Sequence, residues 1–387
     1  MTTRCDDSLP VKLILFIDNL QIGGTQRQIL ALASGITRLG FDVQLLTVFP
    51  GGQFWDEASK QSGFRLDSLF PIRSRFKFGR VISFLSVPFR LRRLLSDNCP
   101  DIIYSMLDVA NLSARLATIG MRTGPLLVWG VRATARQSGA RAAITQWLCR
   151  LLSGGVPLVI ANSEKVLTAH ENMGFRIQHS AVVHNGFDTD RFFFDAEGRR
   201  QTRRKWGVQG DQILVGLVGR VDPMKGQGVF MKVAASVRKQ DTRLRFICVG
   251  PGSSQVKIRL SDLLHELDLG TSMIIANGEE DMKQAYSALD VIVSASVAEG
   301  FPNVIGEAMA CGRACVVTDV GHAAELVGDT GILVSPNNDR DLALAVLRAV
   351  DQRGDLGARG RERVVRKFSI ETMATRTKQA LVAAVAR

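Results

Sequence analysis

The sequence predicts an α/β protein made of two doubly wound, mostly parallel sheets, and three observations carry that prediction. Apolar runs of strand length recur along the chain. Stretches with helical spacing separate them. The alternation stops once, in a polar, charge-dense stretch from Asp188 to Gly210, and then begins again. A strand covered on both faces reads as an unbroken apolar run, and parallel strands need a long crossover that a helix supplies. At 387 residues the chain also exceeds what one hydrophobic core holds, so two domains are expected.

The first run, VKLILFID from Val11 to Asp18, is followed by a turn with Gly23 and Gly24. From Thr25, the apolar positions Ile29, Leu32, Ala33 and Ile36 keep helical spacing up to Gly40, and FDVQLLTVF follows as a second strand. That is a βαβ unit. DIIYSM, GPLLVWGV, VPLVIAN and SAVVHNG continue the series to about residue 190. After the polar stretch, QILVGLVGR, RLRFICVG, SMIIANG, VIVSAS, ACVVTD and GILVSP repeat it. Three helical stretches from Asn338 close the chain, the last opening at Ser369 with a Ser-x-x capping pattern. The result is two Rossmann-like halves with boundaries expected at 1–190, 191–369 and a final helix over 370–387 that packs back toward the first half.

Composition narrows the class. Hydrophobic residues make up 46% and charged residues 22%, with no repeat or low-complexity tract, as in an ordinary globular protein. The opening MTTRCDDSLP is not a basic-then-apolar leader, and no apolar run approaches the ~18 residues that span a bilayer, so neither secretion nor a membrane anchor is expected. Six cysteines at 5, 99, 149, 248, 311 and 315 include no CxxC and no paired histidines, which fits a reducing cytosol and no zinc site. Cys311 and Cys315 read as small core residues facing different environments.

The net charge of +12 belongs mostly to one region, since residues 60–150 hold 15 Lys and Arg against 4 Asp and Glu. Within it, Pro71 to Leu95 carries seven cations and no acid, interleaved with Phe76, Phe78, Phe84 and Phe89. That mixture suits an anionic lipid surface and equally a solvated basic face over a phenylalanine-bearing core, with nucleic acid a weaker fit.

The chemistry concentrates in VIVSASVAEGFPNVIGEAMACGRACVVTDVGHAAELV. A strand ends, a loop holds Glu299, and Pro302 stands where a helix can begin, at the position that tolerates a missing N–H. Glu307, eight residues on, is expected on the surface of that helix, so the two carboxylates reach one ligand. The backbone N–H groups of Phe301, Asn303 and Val304 are expected to point out of the helix N-terminus, where an anion is favoured. Two glutamates at this spacing among 37 acidic residues mean little alone; the surrounding Gly-Phe-Pro-Asn and Glu-Ala-Met-Ala carry the signal.

EGFPNVIGE, from Glu299 to Glu307, resembles the E-x7-E signature of the large retaining GT-B glycosyltransferase family, the family 4-like enzymes of bacterial capsule, exopolysaccharide and lipopolysaccharide synthesis. EAMACGRACVVTDVGHAAELV extends the likeness. The resemblance implies the GT-B architecture: an N-terminal acceptor-binding domain and a C-terminal donor-binding domain facing across a cleft. It implies that Glu299 contacts donor-sugar hydroxyls near the reacting carbon, that Glu307 binds the ribose hydroxyls, and that Gly300, Phe301, Asn303 and Val304 belong to the donor site.

ILVGLVGRVDPMKGQG supports it, because Arg220 and Lys225 follow a strand and two cations there suit a diphosphate leaving group without a metal. The family has the same G-R-x4-K-G pattern. Gly23 and Gly24 fit its frequent Gly-Gly in the first turn, where glycine lets backbone approach a phosphate or sugar, although glycine pairs also serve conformation alone. Where many relatives place a His near the reacting sugar, this chain has Arg132, read either as lining the cleft or as one more member of the basic region.

Other patterns fall away. Asp188-Thr189-Asp190 spells the D-x-D of metal-dependent transferases but sits in the linker, where it reads as turn chemistry. GxGxxG, GxxxxGK[ST] and HExxH are absent. Expected, then, is a hexose-type transferase using a UDP- or GDP-sugar and no metal. Its acceptor is a glycan or polyprenyl-diphosphate-linked molecule, and it works at the anionic inner membrane face, in cell-surface polysaccharide synthesis. A nucleotide-sugar epimerase of the same fold and a non-catalytic nucleotide-sugar-binding protein are the alternatives.

Overall fold

A computed structural model describes residues 10–386 apart from 22, 72–76, 133–138, 279 and 280, with backbone alone for helical residues 77–85, 254 and 257. The chain divides into two compact units, Met1–Gly186 with Ile370–Arg387, and Phe187–Ser369. The division falls at Phe187, just ahead of the polar stretch, and the last helix belongs with the first unit.

In the first unit the strands are β1 (Lys12–Ile17), β2 (Asp42–Thr47), β3 (Arg65–Ser68), β4 (Ile102–Met106), β5 (Leu126–Val131), β6 (Leu158–Ala161) and β7 (Ser180–Val182). All pair in parallel, in the order β3-β2-β1-β4-β5-β6-β7. Helices cover both faces, which is why β1 reads as an unbroken apolar run. Leu13, Leu15 and Ile17 enter a core completed by Met373, Ala374 and Leu381 of the helix Ile370–Val385, while Ile14 and Phe16 enter the opposite one. β3 is absent from the sequence reading. Its four residues alternate between exposed and half-buried at the sheet edge, so they present no apolar run.

In the second unit β8 (Ile213–Val218), β9 (Leu244–Val249), β10 (Met273–Ala276), β11 (Val291–Ser294), β12 (Ala314–Thr318) and β13 (Ile332–Val334) form a parallel sheet ordered β10-β9-β8-β11-β12-β13. Its register sets Val215 against Val291 and Ile213 against Leu244. Each sheet changes winding direction once, between β1 and β4 in the first and between β8 and β11 in the second. Ligand crevices of such sheets lie beyond the carboxyl ends of the two strands flanking that point.

Cys311 and Cys315 correct the sequence reading: both are buried in one cluster with Tyr286 and Phe301 rather than in different environments. Burial pushes the Cys311 thiol, like that of Cys248, up to about 12, which leaves both protonated and inert. Among the described residues no helix is long and apolar enough to cross a membrane.

Candidate active site

The two loops that leave β8 and β11 are built against each other. After β8, Arg220 opens the loop, and Asp222 caps a short turn over Pro223–Lys225 by accepting from Met224 N at 3.0 Å. Gln227 Nε2 holds Arg220 O at 2.9 Å. The turn closes at Gly226, which has φ 72° and where an added Cβ would lie 2.0 Å from Ala295 O; only glycine allows the loops this approach. Val297 N then donates to Met224 O at 3.0 Å, tying the β11 loop to the β8 loop.

That construction brings Lys225 Nζ onto Glu299 Oε1. Ser296 Oγ donates to the same oxygen at 2.8 Å, and Ser296 is fixed in turn by Thr318 Oγ1 donating to its carbonyl at 2.6 Å. Glu299 is only 12% exposed and Lys225 28%, so the pair is partly withdrawn from water. Arg220, by contrast, is 71% exposed and pairs with Asp222 Oδ2 at 3.0 Å. The β8 loop thus carries one exposed guanidinium and one partly buried cation.

Glu307 is not on the helix surface, as the sequence spacing suggested, but buried at 2% exposure in the helix Asn303–Ala310 with its Oε2 accepting from the Tyr286 hydroxyl at 2.7 Å. Pro302 occupies the position just before that helix rather than its first turn. The Asn303 N–H folds back onto Phe301 O at 3.0 Å and does not point outward. Phe301 is buried, stacked on His322 with centroids 5.1 Å apart and near Phe187 and Phe368, and Val304 packs against the same core. Gly300 O accepts from His322 N at 3.1 Å. At Gly321, with φ 56°, an added Cβ would sit 2.1 Å from Glu299 O. The loop carrying Glu299 is thus moulded around a glycine that lies beyond β12.

In the first unit, Gly23 precedes the helix Gly24–Thr37 with extended backbone that any residue adopts, and the atoms nearest to a Cβ there belong to the flexible Gln26 side chain. Conformation therefore does not demand glycine at 23. Arg132 is 9% exposed, bonded to Asn185 Oδ1 and the Tyr104 hydroxyl, each at 3.0 Å. Sequence reasoning missed Ser296, Tyr286, Asp222, Gly226 and Gly321. Ser296 and Gly321 lie within the first motif stretch and Asp222 and Gly226 within the second, whereas Tyr286 gave no signal because it reaches Glu307 across 21 residues of chain. Of the basic stretch, Arg73, Arg75 and Phe76 lie outside the described residues, as do the side chains of Lys77, Phe78, Arg80 and Phe84.

Two family descriptions match the chain, Glycosyltransferase Family 4 over residues 22–191 and Glycosyl transferases group 1 over residues 212–352. The alpha-maltose-1-phosphate synthase of Mycolicibacterium smegmatis is 31% identical over 274 residues, covering 65% of this chain and 69% of its own length. A D-inositol 3-phosphate glycosyltransferase of Streptomyces bingchenggensis is 32% identical over 204 residues, 49% of this chain and 44% of its own length. This chain spans about half the length of such curated relatives. Among solved structures, Anabaena HepE in complex with UDP has a TM-score of 0.80 at 21% identity, covering 96% of this chain and 100% of that one. A glycosyltransferase from Rickettsia africae has a TM-score of 0.81 at 20% identity, covering 97% and 99%. At those identities the likeness is one of fold, the GT-B fold of two Rossmann-like parallel-sheet domains.

Proposed function

The chain belongs to the glycosyltransferase family, and on that premise we propose that it transfers a hexose-type sugar from a nucleoside-diphosphate sugar to an acceptor hydroxyl with retention at the anomeric carbon. The observation that carries the proposal is the Lys225–Glu299 pair at the point where the second sheet changes direction, with Arg220 beside it. A diphosphate arriving there competes with Glu299 for Lys225. The cation is then spent on the leaving group, and the carboxylate is released to a donor-sugar hydroxyl. Glu307, on the next helix, takes the ribose hydroxyls, as the family resemblance implies.

In the transfer, the bond from the anomeric carbon to the diphosphate oxygen breaks. The bond to the acceptor oxygen forms on the same face, and the acceptor's proton passes to a departing phosphate oxygen. Arg220 and Lys225 carry the charge that accumulates on the diphosphate, a role that asks no metal of the site. UDP and GDP are the candidate nucleotides, with UDP first because the Anabaena neighbours hold UDP and UDP-glucose. The acceptor we propose is a phosphate-bearing glycan or polyprenyl-diphosphate-linked molecule in cell-surface polysaccharide synthesis. The names of the Mycolicibacterium and Streptomyces relatives, with their maltose 1-phosphate and inositol 3-phosphate, support a phosphorylated partner.

A second part of the reading concerns place. Helix Ala140–Leu152 presents Ile144, Trp147 and Leu151 at 59%, 52% and 59% exposure, one face at helical spacing, flanked by Arg141 and Arg150. Phe89, 76% exposed, stands on the helix Lys77–Asn98, which covers the same side of the sheet. Apolar anchors among arginines suit an anionic bilayer surface, so we place the protein on the inner membrane face.

Thermal-shift measurements with UDP, GDP, ADP and their sugars, in EDTA, on wild type and Glu307→Gln test the donor site. Stabilisation by one nucleotide, weakened in the variant, is expected; no response to any nucleotide ends the proposal. Epimerised donor in the absence of acceptor would replace it with a nucleotide-sugar epimerase, and donor binding without turnover against any acceptor with a binding protein.

A further inference from the structure

The first unit contains a buried cation that no carboxylate among the described residues answers. Arg132 directly follows β5 and is 9% exposed, and its two bonded partners, Asn185 Oδ1 and the Tyr104 hydroxyl, are neutral. Its Nε is buried without a hydrogen-bond partner. A guanidinium withdrawn from water is costly unless an opposite charge accompanies it, and every other N–H it carries normally finds an acceptor.

The neighbours are unspent in a complementary way. Having accepted from Arg132, the Tyr104 hydroxyl keeps its own proton to give, and burial raises its pKa so that the proton stays in place. Asn162 donates Nδ2 to Arg132 O at 3.4 Å, and its Oδ1 is buried with no partner. Two idle donors around a positive charge, and one idle acceptor, therefore gather on β4 and at the carboxyl ends of β5 and β6, the edge on which parallel sheets bind ligands.

We infer that Arg132 and Tyr104 form a phosphate-binding site, taking oxygens of a phosphoryl group on the acceptor while Asn162 Oδ1 accepts from a hydroxyl of the same molecule. The site binds an oxyanion whether or not transfer occurs; only the word acceptor rests on the proposed function. Arginine suits the role because its planar fork meets phosphate oxygens in pairs.

The test titrates inorganic phosphate, glucose 1-phosphate and glucose into the full chain saturated with UDP, by calorimetry, for wild type, Arg132→Gln and Asn185→Asp. The aspartate variant sets a fixed carboxylate beside Nη1, 3.0 Å from it in the wild-type arrangement, and so satisfies the cation internally without removing it. Expected are glucose 1-phosphate binding at least tenfold tighter than glucose in wild type, and a loss of at least tenfold in both variants with UDP affinity unchanged. Equal binding of glucose 1-phosphate by wild type and Asn185→Asp overturns the site, and so does wild type that binds no phosphate probe. Binding of inorganic phosphate without glucose 1-phosphate overturns its assignment to the acceptor. A wild type that ignores UDP, GDP and ADP alike but binds glucose 1-phosphate through Arg132 keeps the anion site and removes the transferase reading, so the two fail separately.

Discussion

Glu299 and Glu307 are two carboxylates held in opposite ways, and their variants should separate accordingly. Glu299 shares one oxygen between Lys225 and Ser296 at a partly open edge, so Lys225→Ala should lower transfer by about 10²–10³ with little loss of stability. An unchanged kcat/KM would remove Lys225 from the leaving-group role. Glu307 is buried against Tyr286, and Tyr286→Phe leaves a carboxylate oxygen without that donor. It should cost about 1–3 kcal/mol in urea unfolding together with nucleotide affinity. Gly321→Ala drives a Cβ toward Glu299 O and should reduce transfer more than it reduces stability. His184 gives a pH test. Burial first, then the charge of Arg376, holds its imidazole down to about 4, below the ordinary value near ~6.5. The unfolded chain therefore takes up the proton first as pH falls, so this contribution is complete above about 6.5 and drains away toward pH 4. His170, also lowered by burial, adds to the same slope. His184→Asn should flatten part of the dependence of the urea midpoint on pH, and an identical slope would contradict the assignment.

Elements far apart in the chain finish each other's cores. The helix Ile370–Val385 lies on the helix Gly24–Thr37, and it does so across Gly35, where a Cβ would stand 2.7 Å from Ile370 Cγ2 and 3.0 Å from Ala374 Cβ. Gly35→Val should therefore cost about 1–3 kcal/mol by overpacking, read from urea unfolding. Ending the chain at Ser369 removes Met373, Ala374 and Leu381 from the first core, and Tm should fall by more than about 5 °C. Strands were legible wherever both faces are covered, because β1, β4 and β8 then consist of apolar residues alone or nearly so. β3 was not, since an edge strand of four residues needs no apolar face.

For the molecule as a whole, the proposed sugar transfer belongs to a chain of two parallel-sheet units, and two bulk measurements bear on the proposal. Transfer should survive EDTA undiminished, because Lys225 and Arg220 supply the charge that a metal would otherwise bring; loss of activity restored by a divalent cation would contradict this. Replacing Ile144, Trp147 and Leu151 with Gln should weaken binding to phosphatidylglycerol vesicles at least tenfold in low salt, whereas unchanged binding would move the membrane surface elsewhere.

The sequence by itself determined the α/β class, the repetition of the pattern on either side of a polar stretch, and the two motif segments that hold Arg220, Lys225, Glu299 and Glu307. Those features are local: apolar runs, helical spacing and a nine-residue motif survive in a one-dimensional reading because each depends on near neighbours. Tertiary structure alone decided which atoms meet. It paired Lys225 with Glu299 across 74 residues, buried Glu307 under a tyrosine, turned the Asn303 N–H back on its own loop, and left Arg132 charged among neutral partners 28 and 53 residues away. Burial and hydrogen-bond partnership are set by contacts between strand ends that the chain brings together only when the sheets form.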